Sequence, residues 1–295
     1  MAQEKPTPRN QPVMAWMSQL NQGVLFGGYY EGARHNDTWI YKEGWQKITT
    51  EHSPPARSGH AMAYNGDMFR VVLFGGKGAD GELLNDTWIF DGKDWKEIRS
   101  PNVPPRQSHR LVYDGANHQM VLHGGSDKNG NSLSDTYAFN GSAWAKVSSE
   151  GPSRLQHTLT PYNGELILFG GFSRKDGVKK VSGETWSFKK DRWERLDISG
   201  PPARDHHVAG VDAISGSMIL FGGYANGQYL GDTWRFFYNK WTLINEDGPA
   251  RAGKPVMFFH EEQQKLLLFG GWDASNQPLN DFQVFDQGWS IFREK

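Results

Sequence analysis

The chain has 295 residues, a formal net charge of -1 and no cysteine, which excludes disulfides, iron–sulfur clusters, thiolate zinc sites and a cysteine nucleophile. The near balance of 32 basic against 33 acidic residues argues against a general nucleic-acid binder. Its 35 glycines exceed the roughly 7% of average proteins and point to many tight turns, and no apolar run approaches the ~20 residues of a membrane span.

Residues Met1 to Pro8 are polar and lack the apolar core of a secretory signal, so the compartment stays open. From Arg9 onward one pattern recurs. A glycine pair follows an apolar run at Gly27-Gly28, Gly75-Gly76, Gly124-Gly125, Gly170-Gly171, Gly222-Gly223 and Gly270-Gly271, and a later tryptophan falls at 45, 95, 144, 193, 241 and 289. The steps lie between 46 and 52 residues, so six units fill the chain, over approximately 9–49, 56–98, 105–147, 153–196, 203–244 and 250–292. Each unit predicts the same elements: an arginine, a short strand, a polar turn, a strand ending in the glycine pair, a variable loop, an Asp-Thr-Trp strand and the tryptophan strand. In the second unit these are Arg57, Ala61 to Tyr64, Asn65-Gly66, Arg70 to Phe74, Asp86-Thr87-Trp88 and Trp95 to Ile98. Asn-Gly and Asp-Gly turns join strands into antiparallel sheets. One four-stranded sheet leaves both faces bare, so the units bury their faces on one another, and a ring removes the exposed ends.

The glycine pair, the later tryptophan and the period near 50 resemble the Kelch repeat over residues 9 to 292. The resemblance implies an all-β fold, a six-bladed β-propeller with four antiparallel strands per blade, closed by packing of the first blade on the last. Recurrent residues read first as architecture: glycines for positive φ, tryptophans for the space between sheets, and the acidic residue before the third strand (Asp37, Asp86, Asp135, Glu184, Asp232, Asp281) as an acceptor for turn amides.

Two other registers carry more information. Arg9, Arg57, Arg106, Arg154, Arg204 and Arg251 precede the innermost strand, and would ring one mouth of the channel. They pair with carbonyls and carboxylates of the fold, or they form an anion site by two-pronged hydrogen bonding. His60, His109, His157 and His207 stand three residues further on. Sheets about 10 Å apart cannot bring them within the ~2 Å that a zinc ion requires, so no metal is expected. His123 stands where the other units have phenylalanine and needs a buried partner or a chemical role.

Function is sought where repeats disagree, on loops held by a rigid scaffold. In Kelch propellers of the ubiquitin-ligase adaptor type, the residue after the glycine pair and the start of the inner strand line one partner-binding face. By that resemblance Tyr29, Lys77, Phe172, Tyr224 and Trp272 join Arg57, Ser58, Arg106, Gln107, Arg154, Arg204, Asp205, His206 and Arg251 in one bowl. Copper-oxidase relatives need a cysteine crosslink, which this chain cannot make, and no phosphate-cradling Gly-Lys-Ser/Thr loop is present; no cofactor is expected. In size and blade number the chain is similar to a bacterial Kelch sialic-acid mutarotase, which implies an alternative catalytic role for Asp205, His206 or His123. The leading expectation is a monomeric, non-catalytic propeller that recognises a protein, a peptide or a small anionic ligand on the loop face at the channel mouth, a protein or peptide partner before an anionic sugar or other small molecule; the alternative is a mutarotase-like isomerase of a sugar acid, or a lectin-like carbohydrate binder, that uses the same face.

Overall fold

The structure is a computed structural model that describes residues 4–291 apart from 12, 247, 249–254, 274, 276 and 287. It is a six-bladed β-propeller, and each blade is an antiparallel sheet whose four main strands follow chain order from the axis outward. The innermost strands are Val13–Met17, Ala61–Asn65, Arg110–Asp114, Thr158–Tyr162, Val208–Asp212 and Val256–His260. Each pairs with the strand that ends at the glycine pair, as in Ala61 opposite Phe74 and Arg110 opposite His123. Neighbouring innermost strands touch all the way round, including Val256–His260 against Val13–Met17. Among the described residues the only helical segment is the 3-10 turn Ser18–Leu20.

The Asp-Thr-Trp motif is the fastener between blades. The indole nitrogens of Trp95, Trp144, Trp193, Trp241 and Trp289 donate to the threonine hydroxyls of the preceding blade, Thr38, Thr87, Thr136, Thr185 and Thr233, at 2.8 to 3.0 Å. A buried indole N–H needs such an acceptor. The seam between the last blade and the first differs, because Phe282 stands where the others have threonine. There Trp45 packs against Phe269 with ring centroids 5.1 Å apart, Tyr41 packs on Phe282 at 4.4 Å, and Trp16 stacks on Phe258 at 4.9 Å. Among the described residues no strand is shared across this seam, and side-chain packing joins the two blades.

The glycine pair has a steric cause. Gly75 and Gly76 adopt φ of 59° and 101°, and a Cβ on Gly76 would lie 2.8 Å from both the His60 nitrogen and the Ser58 carbonyl oxygen. Backbone occupies the space a side chain would need, so only glycine permits that approach.

The acidic residue of the motif does not serve turn amides. Asp86 accepts both terminal nitrogens of Arg57 at 2.6 Å, and its Oδ2 also accepts the Trp88 indole at 2.7 Å. Asp232 repeats the arrangement with Arg204 and Trp234, and Asp135 binds Arg106 with the same two-pronged geometry. The expectation of turn capping is therefore corrected. Guanidinium forks match carboxylates, and a buried charge needs that match.

Candidate functional site

The arginines of the repeat lie in the wall of the ring. Arg57 and Arg106 are fully buried and Arg204 is 1% exposed. Besides the carboxylate, each Nη1 donates to the carbonyl of the first glycine of the pair (Gly75, Gly124, Gly222) and each Nε to a proline carbonyl two residues back. Arg154 binds Glu184 and the Ser182 hydroxyl. The anion-site expectation for Arg57, Arg106, Arg154 and Arg204 is corrected on this ground: their terminal nitrogens face the protein's own acceptors. Arg251 lies outside the described residues.

The residue after each of these arginines forms a short antiparallel bridge with the residue after the glycine pair: Asn10 with Tyr29, Gln107 with Ser126, Leu155 with Phe172 and Asp205 with Tyr224. Ser58 and Lys77 pair likewise inside a longer strand. This repeated ladder sets Tyr29, Lys77, Phe172 and Tyr224 at one end of the ring, beside the start of the inner strands. Trp272 follows the sixth glycine pair and bridges to Pro278. Tyr29 is 38% and Tyr224 36% exposed, while Trp272, Lys77 and Gln107 are half-buried. Phe172 is 6% exposed, covered by Lys179 at 4.3 Å and Arg174 at 5.3 Å from its ring, and Ser58 is buried, its hydroxyl accepting from Arg34. These two are corrected from ligand contacts to supports.

One residue further on, Gln11, Ser108, Gln156 and His206 have φ between 53° and 59°, with Gly59 at 67° in the equivalent place. A left-handed backbone at non-glycine residues costs about 1–2 kcal/mol each. It turns the chain from the loop face into the channel. The turns are linked around the mouth: Ser108 N–H donates to the Gly59 carbonyl at 2.7 Å, and His206 N–H to that of Gln156 at 3.3 Å. Sequence reasoning missed Gln11, Ser108 and Gln156; the available signal was their common offset of two from each repeat arginine.

The residues proposed for proton transfer are placed differently from one another. Asp205 is 1% exposed, and its carboxylate accepts from His206 Nδ1 at 2.5 Å and meets Lys179 Nζ at 2.6 Å. Burial works to raise its carboxyl, but His206 and Lys179 outweigh that and hold it below the usual range. His206 stays partly exposed with its second ring nitrogen uncommitted to Asp205. His123 is a core residue, corrected from a catalytic candidate: it lies 4.4 Å from the Trp193 ring, and its nitrogens meet Thr136 Oγ1 at 3.0 Å and the Pro152 carbonyl at 2.9 Å. Nε2–H donates to the carbonyl and Nδ1 accepts the threonine O–H, which leaves Thr136 Oγ1 as acceptor for Trp193. Burial drives the His123 pKa down to about 4, so the ring is neutral at pH 7. The four register histidines lie apart, with His60, His109 and His207 edge-on to the phenylalanine of the preceding blade and His157 edge-on to His123.

The channel holds a cavity of about 140 Å³, lined in part by Gln11, Ser108, Arg110, Gln156 and Met257, with no Asp or Glu among the described residues that line it. A larger cleft, about 740 Å³, lies on the outer rim between His52, Trp88 and Asp94, away from the loop face.

No curated protein matched the chain. Among solved structures, one titled "Structure of YjhT" superposes with a TM-score of 0.76 at 16% sequence identity, covering 98% of this chain and 99% of that one; at this identity the likeness is one of fold. The family model described as the KLHDC2/KLHL20/DRC7 Kelch-repeats domain matches residues 1–154 and 156–292. With that match over nearly its whole length, and with six blades that each carry the glycine pair and the later tryptophan, the chain belongs to the Kelch-repeat family.

Proposed function

We propose that the protein is a binding propeller whose loop face recognises a peptide or an extended segment of a protein partner. The observation that carries the reading is the ladder beside the channel mouth, which gathers Tyr29, Tyr224 and Trp272 with Lys77 and Gln107 at one end of the ring. Aromatic side chains on a rigid frame are the usual anchors of an interface, and the recurrent arginines keep that frame fixed. A Kelch propeller serves as a binding or scaffold platform, and the loss of His123 to the core leaves the face one candidate poorer in proton-transfer groups.

The experiment is a selection of binders from a random peptide display library on the immobilised protein. Sequence enrichment is expected, with the enriched peptides losing at least tenfold in affinity on the Tyr224→Ala/Trp272→Ala variant. No enrichment over an unrelated propeller, or binding indifferent to both substitutions, would overturn the reading.

One feature favours a second reading, the sugar-acid isomerase or carbohydrate binder. The Asp205 carboxylate orients the His206 imidazole at the mouth, the arrangement in which a histidine acts as general base through its other nitrogen. Measurement of anomer interconversion of a 2-keto sugar acid by NMR separates the two: acceleration abolished by His206→Ala favours the isomerase, and an uncatalysed rate removes it.

A further inference from the structure

One arginine that lines the channel is not called for by the repeat. Arg110 is the first residue of the third innermost strand, four places after Arg106. The equivalent places hold Val13, Ala61, Thr158, Val208 and Pro255. It lines the 140 Å³ channel cavity and is the only charged residue among the described residues that do so. Its Nε donates to the His157 carbonyl at 2.5 Å, which ties the third blade to the fourth. Among the described residues no carboxylate pairs with its two terminal nitrogens. Two histidines that feel its charge, His157 and His207, are pushed well below their ordinary pKa by burial first, and Arg110 adds to that push. They are neutral at pH 7 and compensate nothing. Desolvation lowers the Arg110 pKa to about 10, which still leaves a full positive charge at neutral pH.

Arg110 is half-buried, and a cation drawn out of water without a counter-charge is costly; the fold gives each described repeat arginine an acidic partner. We propose that the channel is a site for a free small monocarboxylate, clamped by the terminal nitrogens of Arg110. One guanidinium balances one negative charge, which favours a carboxylate over the dianions sulfate and phosphate, and the planar fork fits two carboxylate oxygens. The cavity of about 140 Å³ has room for several waters, and so for an acid of two to four carbons. Polar groups complete the site. Gln156 is 7% exposed, its Nε2 donates to the Ser108 hydroxyl at 3.3 Å, and its Oε1 is buried without a partner. A half-turn of that amide lets Oε1 accept from Ser108 and turns the NH2 toward the anion. This site lies inside the channel and is independent of the aromatic loop face.

Thermal melting and calorimetry with sodium acetate and sodium lactate test the proposal, with sodium chloride and sodium sulfate at matched ionic strength as controls. The expected result is one saturable site with millimolar affinity and a rise in melting temperature of about 5 °C at saturation, absent with the control salts. Arg110→Met should remove the response and melt no lower than the wild type in carboxylate-free buffer, since an apolar side chain of similar length relieves the uncompensated charge. Gln156→Leu should weaken the carboxylate about tenfold, and it keeps the test decisive if Arg110→Met does not fold. The absence of saturable binding to the wild type, an equal response to sulfate, or a response that survives Arg110→Met would overturn the proposal. Tyr224→Ala should leave the carboxylate response unchanged, so failure here is distinguishable from failure of the loop-face reading.

Discussion

Asp232→Ala should destabilise the protein by about 3 kcal/mol, because it strands a guanidinium that the fold has removed from water. Arg204 is 1% exposed and donates to Asp232 at 2.6 and 2.7 Å. Burial works to raise the Asp232 carboxyl, but Arg204 and Trp234 outweigh it and hold the group below its ordinary range. A depressed carboxyl contributes stability that is complete above its unfolded pKa near 4 and is lost as the pH falls further. The same loss appears at neutral pH when alanine removes the acceptor. Arg204→Met/Asp232→Leu should recover most of it, since two apolar groups leave no charge unpaired. Urea denaturation with an unchanged m-value reads the difference. A single-variant loss below about 1 kcal/mol would mean that the pair is solvated and contributes little.

His123→Phe should produce stability curves that cross with pH. The folded imidazole titrates at about 4 against about 6.5 unfolded, so its contribution is complete above 6.5 and is lost as the pH falls through 4. The difference amounts to about 3 kcal/mol, lost at up to about 1.4 kcal/mol per pH unit. His157 and His207 shift in the same direction and steepen the wild-type curve. Phenylalanine removes one titrating group and fits the place it holds in the other five repeats, as Phe26 does against Trp95 at 5.2 Å. It also leaves the Pro152 carbonyl and the Thr136 hydroxyl with one bond fewer, which costs about 1–2 kcal/mol at pH 7.5. The wild type should therefore be the more stable form at pH 7.5 and the variant at pH 4.5. Thermal denaturation across that range checks it, and parallel curves would contradict the burial of a neutral ring.

The fold was legible because each blade repeats its physical solution. Gly76 cannot carry a Cβ and Trp144 must find the Thr87 hydroxyl, and requirements that recur in register from blade to blade leave a visible period. The partner of a repeated residue was harder to read, since Arg57 and Asp86 lie 29 residues apart and sequence order gives no distance between them. Hence the acidic residue was assigned to turn amides and the arginines to a possible ligand. The loop face was legible as a set of positions but not as exposures: Phe172 and Tyr224 occupy equivalent places, yet only Phe172 lies under a hairpin bearing Lys179. Arg110 escaped notice because its place carries no repeated residue, and only the folded channel shows that no carboxylate among the described residues pairs with it.

Tyr224→Ala and Arg204→Lys, compared on one selected peptide, give affinity and melting temperature for one residue of the face and one of the frame. If recurrent residues build the ring and divergent ones meet the ligand, Tyr224→Ala should weaken the peptide at least tenfold with the melting temperature held within about 2 °C, a change of under ~1 kcal/mol. Arg204→Lys should do the reverse, lowering the melting temperature while the affinity of the folded protein stays within about twofold. The opposite assignment, with stability lost at Tyr224 and affinity lost at Arg204 in a fully folded protein, would contradict the account.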